Sequence, residues 1–181
     1  MSFAFGGGDA SSATSNQTAG QSPQSPPPKA EPSTPYIAAG DGNLELLQTS
    51  LQALNLSSNA ADSNGFTFVH AAAAYNRLNV LRWLFTQDGV CVNAQDADGD
   101  TPLHHCDDVE AAKCLIEEGG ADITITNANG YTAREAKEEE LQEDADDEEE
   151  EDSDDEDRQA MKDVVEYLKG LETSSGDQDM Q

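Results

Sequence analysis

"GDTPLHHCDDVEAAKCLIEEGGADITITNANGYT", residues Gly99 to Thr132, places two histidines and two cysteines between two turn-like glycine motifs. Read one way it is a metal or catalytic centre; read another it is scaffold. The backbone chemistry favours scaffold. Asp98-Gly99 is a turn signal, because Gly takes φ > 0 at little cost. Thr101 is suited to cap a helix and Pro102 to its first position, where a missing N–H costs nothing. Leu103 then starts a short helix. Asp107 reads as a second N-cap with Glu110 as its capping-box partner. The second helix carries Val109, Ala112, Leu115 and Ile116 on one stripe, and Gly119-Gly120 ends it. The expected unit is a β-turn followed by two antiparallel helices.

The unit recurs. "NGFT" at Asn64–Thr67 returns as "DGDT" at Asp98–Thr101 and as "NGYT" at Asn129–Thr132. A period near 33 residues is that of a solenoid of stacked supersecondary units. "TPLHHC" and "GGADITITNANGYT" resemble the ankyrin repeat, whose signature is T-P-L-H-x-A, a second helix and a G-A-D hairpin. "SNGFTFVHAAAAYNRLNVLRWLF", Ser63 to Phe85, is similar to a full repeat. "YIAAGDGNLELLQTSL", Tyr36 to Leu51, resembles the helices of an N-terminal cap. "NGYTAREAK" and the later "VVEYLKGLE" resemble one last repeat split by an insertion. The wording is also similar to that of small fungal ankyrin-repeat proteins without an assigned activity.

The resemblance implies an all-α ankyrin solenoid of about four helix–turn–helix repeats, the first and last atypical. The repeats are expected near 35–61, 62–95, 96–126 and 127–172, within one domain at 35–172. Gly65, Thr67, His70, Gly99, Thr101, Pro102, Leu103, His104, Gly130 and Thr132 stand at motif positions. The implied role of His70 and His104 is hydrogen bonding between neighbouring turns. Three departures stand out. Phe68-Val69 replaces Pro-Leu, the third unit lacks about three residues between its helices, and Arg134 stands where a leucine would fall, which predicts a weak anchor there.

Outside the repeats the composition changes. Residues 1–34 are rich in Ser, Gln, Ala and Pro and are predicted disordered, as are 173–181. "SPPPKAEP" is a candidate polyproline ligand. Residues 138–157 are acidic at 16 of 20 positions and carry more than half of the net charge of −28. Such a block repels itself and is predicted to be a disordered insertion. Beyond it, Met161, Val164, Val165, Leu168 and Leu171 form one helical stripe.

These features bound the function. The acidic balance repels nucleic acid and anionic membranes and favours basic protein partners. No run approaches the ~18 apolar residues of a membrane span, and the N-terminus lacks the pattern of a secretory signal. Three cysteines fit no paired disulfide framework, which points to the cytoplasm or nucleus. A monomer is expected. Zinc asks for converging ligands at C-x₂-C or H-x₃-H spacing. His104, His105 and Cys106 are consecutive and diverge on a helix, so no metal or other cofactor is expected. Cys106 and Cys114 read as small buried hydrophobes. Mobile carboxylates lack the positioning that acid–base catalysis needs, so the chain is read as a non-enzyme.

The remaining reading is a protein-binding module. Turn tips and first-helix faces would present Phe66, Tyr75, Asp100, His105 and Tyr131, with His105 and Asp100 free of any structural task. Trp83 is expected to pack against a neighbouring repeat. The alternative is an acidic chaperone-like protein that binds basic proteins of histone or ribosomal type through the charged run. Ser153 resembles an acid-directed phosphorylation site. Asn93 stands at a hairpin position that can be hydroxylated in this family.

Overall fold

A computed structural model describes residues 31–146 and 155–175. It contains α1 (Thr34–Asp41), α2 (Leu44–Leu54), α3 (Phe68–Ala74), α4 (Leu78–Phe85), α5 (Val109–Lys113), α6 (Ala133–Asp146) and α7 (Asp155–Ser175). A wider π-type turn, Cys114–Glu118, continues α5. The helices pair in sequence order, α1 with α2, α3 with α4 and α6 with α7; α1 packs on α3, and α5 with its π-type turn lies between α4 and α7. The inner row is α1, α3, the turn at 102–105 and α6; the outer row is α2, α4, α5 and α7.

Three hairpins precede the second, third and fourth inner elements. Each closes the same way. Asp62, Asp96 and Asn127 donate their N–H to the carbonyls of Phe66, Asp100 and Tyr131 at 2.9–3.0 Å. The same side chains accept N–H groups two and four residues on, in Asx-turn fashion. Successive tips are stitched together, Ala97 N–H to the Asn64 carbonyl at 2.7 Å and Ala128 N–H to that of Asp98 at 2.9 Å. Gly65 and Gly99 have φ of 78° and 77°. A Cβ on either would press on the backbone of the next hairpin.

The core follows the helical stripes. Leu47, Phe68, Val80, Leu81, Leu84, Leu115, Val164 and Leu168 are all closed to solvent or nearly so. Phe68, in the place of the usual proline, is fully buried and meets the Tyr36 ring at a centroid distance of 4.5 Å. This contact bonds the first repeat to the second.

Several expectations are corrected. The third unit has no first helix: Pro102–His105 is a turn, with His104 N–H on the Thr101 carbonyl at 2.9 Å. Seven positions separate Thr101 from the next N-cap, Asp108, against ten between Thr67 and Arg77, too few for a helix and its exit. Asp108, not Asp107, caps α5, accepting from Glu110 N–H at 2.7 Å. The run expected to be disordered at 138–157 is helical over 138–146 and 155–157, because α6 and α7 extend into it. Residues 1–30, 147–154 and 176–181 lie outside the described residues, and with them Ser153. Arg134 is firmly engaged: it binds the Glu172 carboxylate of α7 through Nε at 2.9 and 3.0 Å and Glu138 through Nη1 at 2.6 Å. An ion-pair clamp thus does the work of the missing leucine.

Candidate interaction surface

His70 and His104 have a fixed tautomer. Nδ1 of each accepts a backbone N–H, from Thr67 and Thr101 respectively, at 3.1 Å. A backbone N–H can only donate, so Nδ1 is bare and Nε2 carries the proton. The two Nε2–H groups donate to the carbonyls of Asp100 and Tyr131, one hairpin further on, at 3.1 Å. Burial pushes the His70 pKa down, consistent with a neutral ring. In the last unit Glu135 takes the histidine's position and caps Thr132, accepting from its N–H and Oγ1 at 3.0 Å.

A second set of ties is made by asparagines. Asn59 Oδ1 accepts Cys91 N–H, and Asn93 Oδ1 accepts Asp122 N–H, both at 3.0 Å. Gln95 Nε2 bridges the carbonyls of Gly99 and Thr126 at 2.8 and 3.0 Å. The hairpin row is therefore a cross-linked ribbon, which holds any side chain on it in a fixed place.

Asp100 and His105 are not free of structural work. Asp100 Oδ1 accepts from Asn127 Nδ2 at 2.8 Å while its carbonyl serves His70. His105 Nε2 donates to Asp96 Oδ2 at 2.8 Å. Its ring meets those of Phe66 and His70 edge-on, with centroids at 5.3 and 5.5 Å. Burial works to raise the Asp96 carboxyl; the His105 bond and the N–H groups of Asp100 and Asp98 outweigh it and leave it below its ordinary value. Phe66 is half-buried on this cluster. Tyr131 sits at the last tip, its hydroxyl on Glu139 at 3.2 Å. Tyr75, at the end of α3, is 62% exposed, and its ring lies over Gly40 of α1.

His70, Asp96 and His105 bring three potential ligand atoms within 4.8 Å of one another. The tautomer works against their use as a metal site. The His70 Nε2 lone pair is taken by a proton aimed at Asp100, and Nδ1 faces Thr67. An ion would have to break the repeat's own tie to recruit it. Cys106 and Cys114 are buried, which raises their thiol pKa to about 12 and about 11. Thiols held so high are poor nucleophiles and poor ligands.

Three features were missed in the sequence. Ile37, at the position of the motif histidine in the first unit, is 58% exposed. Lys137 is buried at 1% and pairs with Asp107, which explains why Asp107 is not a cap. Trp83, expected to pack against a neighbouring repeat, is half-buried, and it lines a shallow groove of about 490 Å³ with Leu51, Leu56 and four amide side chains. Amphipathic periodicity marks Trp83 as core-facing and gives no sign of a groove.

Among the described residues no helix is long and apolar enough to cross a membrane. Residues 35–133 match the family description "Ankyrin repeats (3 copies)". An ankyrin repeat-containing protein of Schizosaccharomyces pombe is 39% identical over 103 residues, 57% of this chain and 49% of its own. The chain thus spans about half the length of that relative. The nuclear factor NF-kappa-B p105 subunit of Gallus gallus is 33% identical over 54% of this chain and 10% of its own. The FYVE zinc finger domain protein UPA1 of Mycosarcoma maydis is 35% identical over 32% of this chain and 4% of its own. Such repeats generally mediate protein–protein interaction, typically without catalysis. The three repeated hairpins, the paired helices and the match over residues 35–133 together make the chain a member of the ankyrin-repeat family.

Proposed function

We propose that the chain is a non-enzymatic interaction module whose contact surface is the hairpin row with the inner elements beside it. The observation that carries this reading is Tyr75: a large aromatic, 62% exposed, held over Gly40 on a cross-linked scaffold. Rigid aromatics of this kind anchor interfaces, because they bury much area for little lost entropy. Phe66, Asp100, His105 and Tyr131 form the rest of the proposed surface. The partner is a protein, reached in the cytoplasm or nucleus by a monomer, with no direct binding to nucleic acid or membrane.

The acidic run adds steering toward basic partners in this reading. Arg134 pairs with Glu172 and Glu138, Lys137 is buried against Asp107, and Arg158 donates to the Leu141 carbonyl, so these three do little to neutralise the exposed carboxylates of Glu139 and Glu140. The same observation favours a second reading, in which the run itself grips a basic protein and the repeats only hold it. Affinity capture with the tagged chain tests both. Tyr75→Ala is expected to lower partner retention at least tenfold at constant salt. Replacing the acidic residues of 147–154 by Asn and Gln is expected to lower only the salt-sensitive part. Loss of all retention in the second variant alone would favour the chaperone-like reading.

A further inference from the structure

We propose that the Trp83 groove between α2 and α4 is a second docking site, which takes an extended segment of a partner protein with one large apolar side chain flanked by lysine or arginine. The groove is built by the outer helices and not by the hairpin row, so the inference goes beyond the surface assigned above.

Three observations support it. The first is shape. Leu51, Leu56 and Trp83 supply the apolar part of the groove. Leu56 is one of the four large hydrophobic side chains left exposed among the described residues. A volume of about 490 Å³ has room for one large side chain and the backbone around it. Both sides are fixed. Asn55 ends α2 at a φ of 52°, and Leu56 N–H closes on the Leu51 carbonyl at 3.0 Å. Thr86 Oγ1 and Gln87 Nε2 close the end of α4 on the Trp83 carbonyl at 2.7 and 3.3 Å. A preformed groove loses little freedom when it is filled.

The second is hydrogen-bonding capacity. Gln48, Gln52 and Asn55 bring amide groups to the groove, Ser58 a hydroxyl and Trp83 an indole N–H. Among the described residues none of these groups has a hydrogen-bond partner. Side-chain amides both donate and accept, which matches the N–H and C=O groups of an extended peptide. From Gln48 to Asn55 along α2 is about 10 Å, the span of about three extended residues.

The third is charge. No ionisable side chain lines the groove. Acids stand beyond its ends: Glu45, one turn before Gln48 on the same face of α2, and Asp88, which follows Gln87. Both are exposed, and neither is in an ion pair among the described residues. Arg82, the base next to Trp83 in the chain, is held by the Glu118 carboxylate at 2.9–3.0 Å. The C-terminal ends of α2 and α4 add partial negative charge. Cations on either side of an apolar anchor complement this arrangement. A net charge of −28 draws such a partner in and opposes a second copy of the chain.

A peptide titration of the full chain tests the proposal. Trp83 is the one tryptophan of the chain, so its indole N–H signal and its emission report on the groove without a label. The probe is a blocked heptapeptide with a central leucine, a lysine two residues to either side and serine elsewhere. It is expected to shift the Trp83 indole signal saturably, and the side-chain amide signals of Gln48, Gln52 and Asn55 with the same midpoint. Alanine in place of the leucine, or glutamate in place of both lysines, should raise the midpoint at least tenfold. Leu56→Gln should do the same with the urea midpoint unchanged, since Leu56 is already 36% exposed. No saturable shift at about 10 mM peptide, a concentration that reveals even a weak contact, would overturn the proposal. So would equal midpoints for the three peptides, an unweakened Leu56→Gln, or shifts centred on Tyr75. Trp83 emission that changes with protein concentration in the absence of peptide would assign the groove to a second copy and refute it. The titration uses no captured partner, so it fails or stands apart from the Tyr75 test.

Discussion

Gly99→Ala and Gly130→Ala make the same chemical change at two equivalent hairpin tips, and they should differ sharply. Both glycines sit in the left-handed region, at φ of 77° and 85°. Placing alanine there costs about 1–2 kcal/mol at either site. The surroundings differ. A Cβ on Gly99 would stand 2.6 Å from the backbone nitrogen of Ala128 and 3.1 Å from the carbonyl carbon of Asn127. Neither atom can rotate aside, so the third and fourth hairpins must part. That puts at risk the Ala128 N–H bond to the Asp98 carbonyl, worth about 1 kcal/mol. A Cβ on Gly130 meets nothing within 4 Å among the described residues. Gly99→Ala should therefore cost about 1–2 kcal/mol more than Gly130→Ala. Urea unfolding at constant slope gives the comparison directly. Costs equal to within about 0.5 kcal/mol would mean that the hairpins are not stacked as described.

Three further outcomes follow from the same structure. Asp107→Ala strands the buried Lys137 and should cost about 1–3 kcal/mol, whereas Lys137→Met, which removes the buried charge, should cost less; the reverse order in urea titrations would refute the pairing. Burial depresses the His70 pKa, so the unfolded chain binds the extra proton. Its contribution to stability should be complete above about pH 6.5 and fall, by at most about 1.4 kcal/mol per pH unit, as pH drops below that value. The difference between wild type and His70→Gln isolates it, because titration of the carboxylate run cancels, and a difference independent of pH between 7.5 and 5.5 would refute it. Finally, one thiol, Cys91, should react with a disulfide reagent in the native chain and all three after unfolding, since Cys106 and Cys114 are buried; fast reaction of three native thiols would contradict the packing.

The fold was legible because its punctuation is local. Gly65, Gly99 and Gly130 mark tips that need positive φ, and the threonines after them mark caps, so the period could be read without knowing any contact. The third unit shows the limit. Its shortened spacing was visible, but not that the first helix would shrink to a turn and shift the next cap to Asp108. The site was less legible than the fold. His105 and Asp100 looked idle because their partners, Asp96 and Asn127, lie in other turns. Ile37 went unremarked because helical periodicity along α1 does not show which of its faces a neighbouring helix covers. The acidic run looked disordered throughout because charge repulsion was weighed without the helix that enters it, which Arg134 and Lys137 pin at its start.

The central claim, that the chain binds protein through the hairpin row and the aromatic beside it, is tested most directly by affinity for a captured partner. Tyr75→Ala and Tyr131→Ala would be compared with wild type at matched urea midpoints. The account predicts at least a tenfold loss for Tyr75→Ala, about 1.4 kcal/mol, with folding unchanged. Wild-type affinity in both variants, with the fold intact, would contradict it.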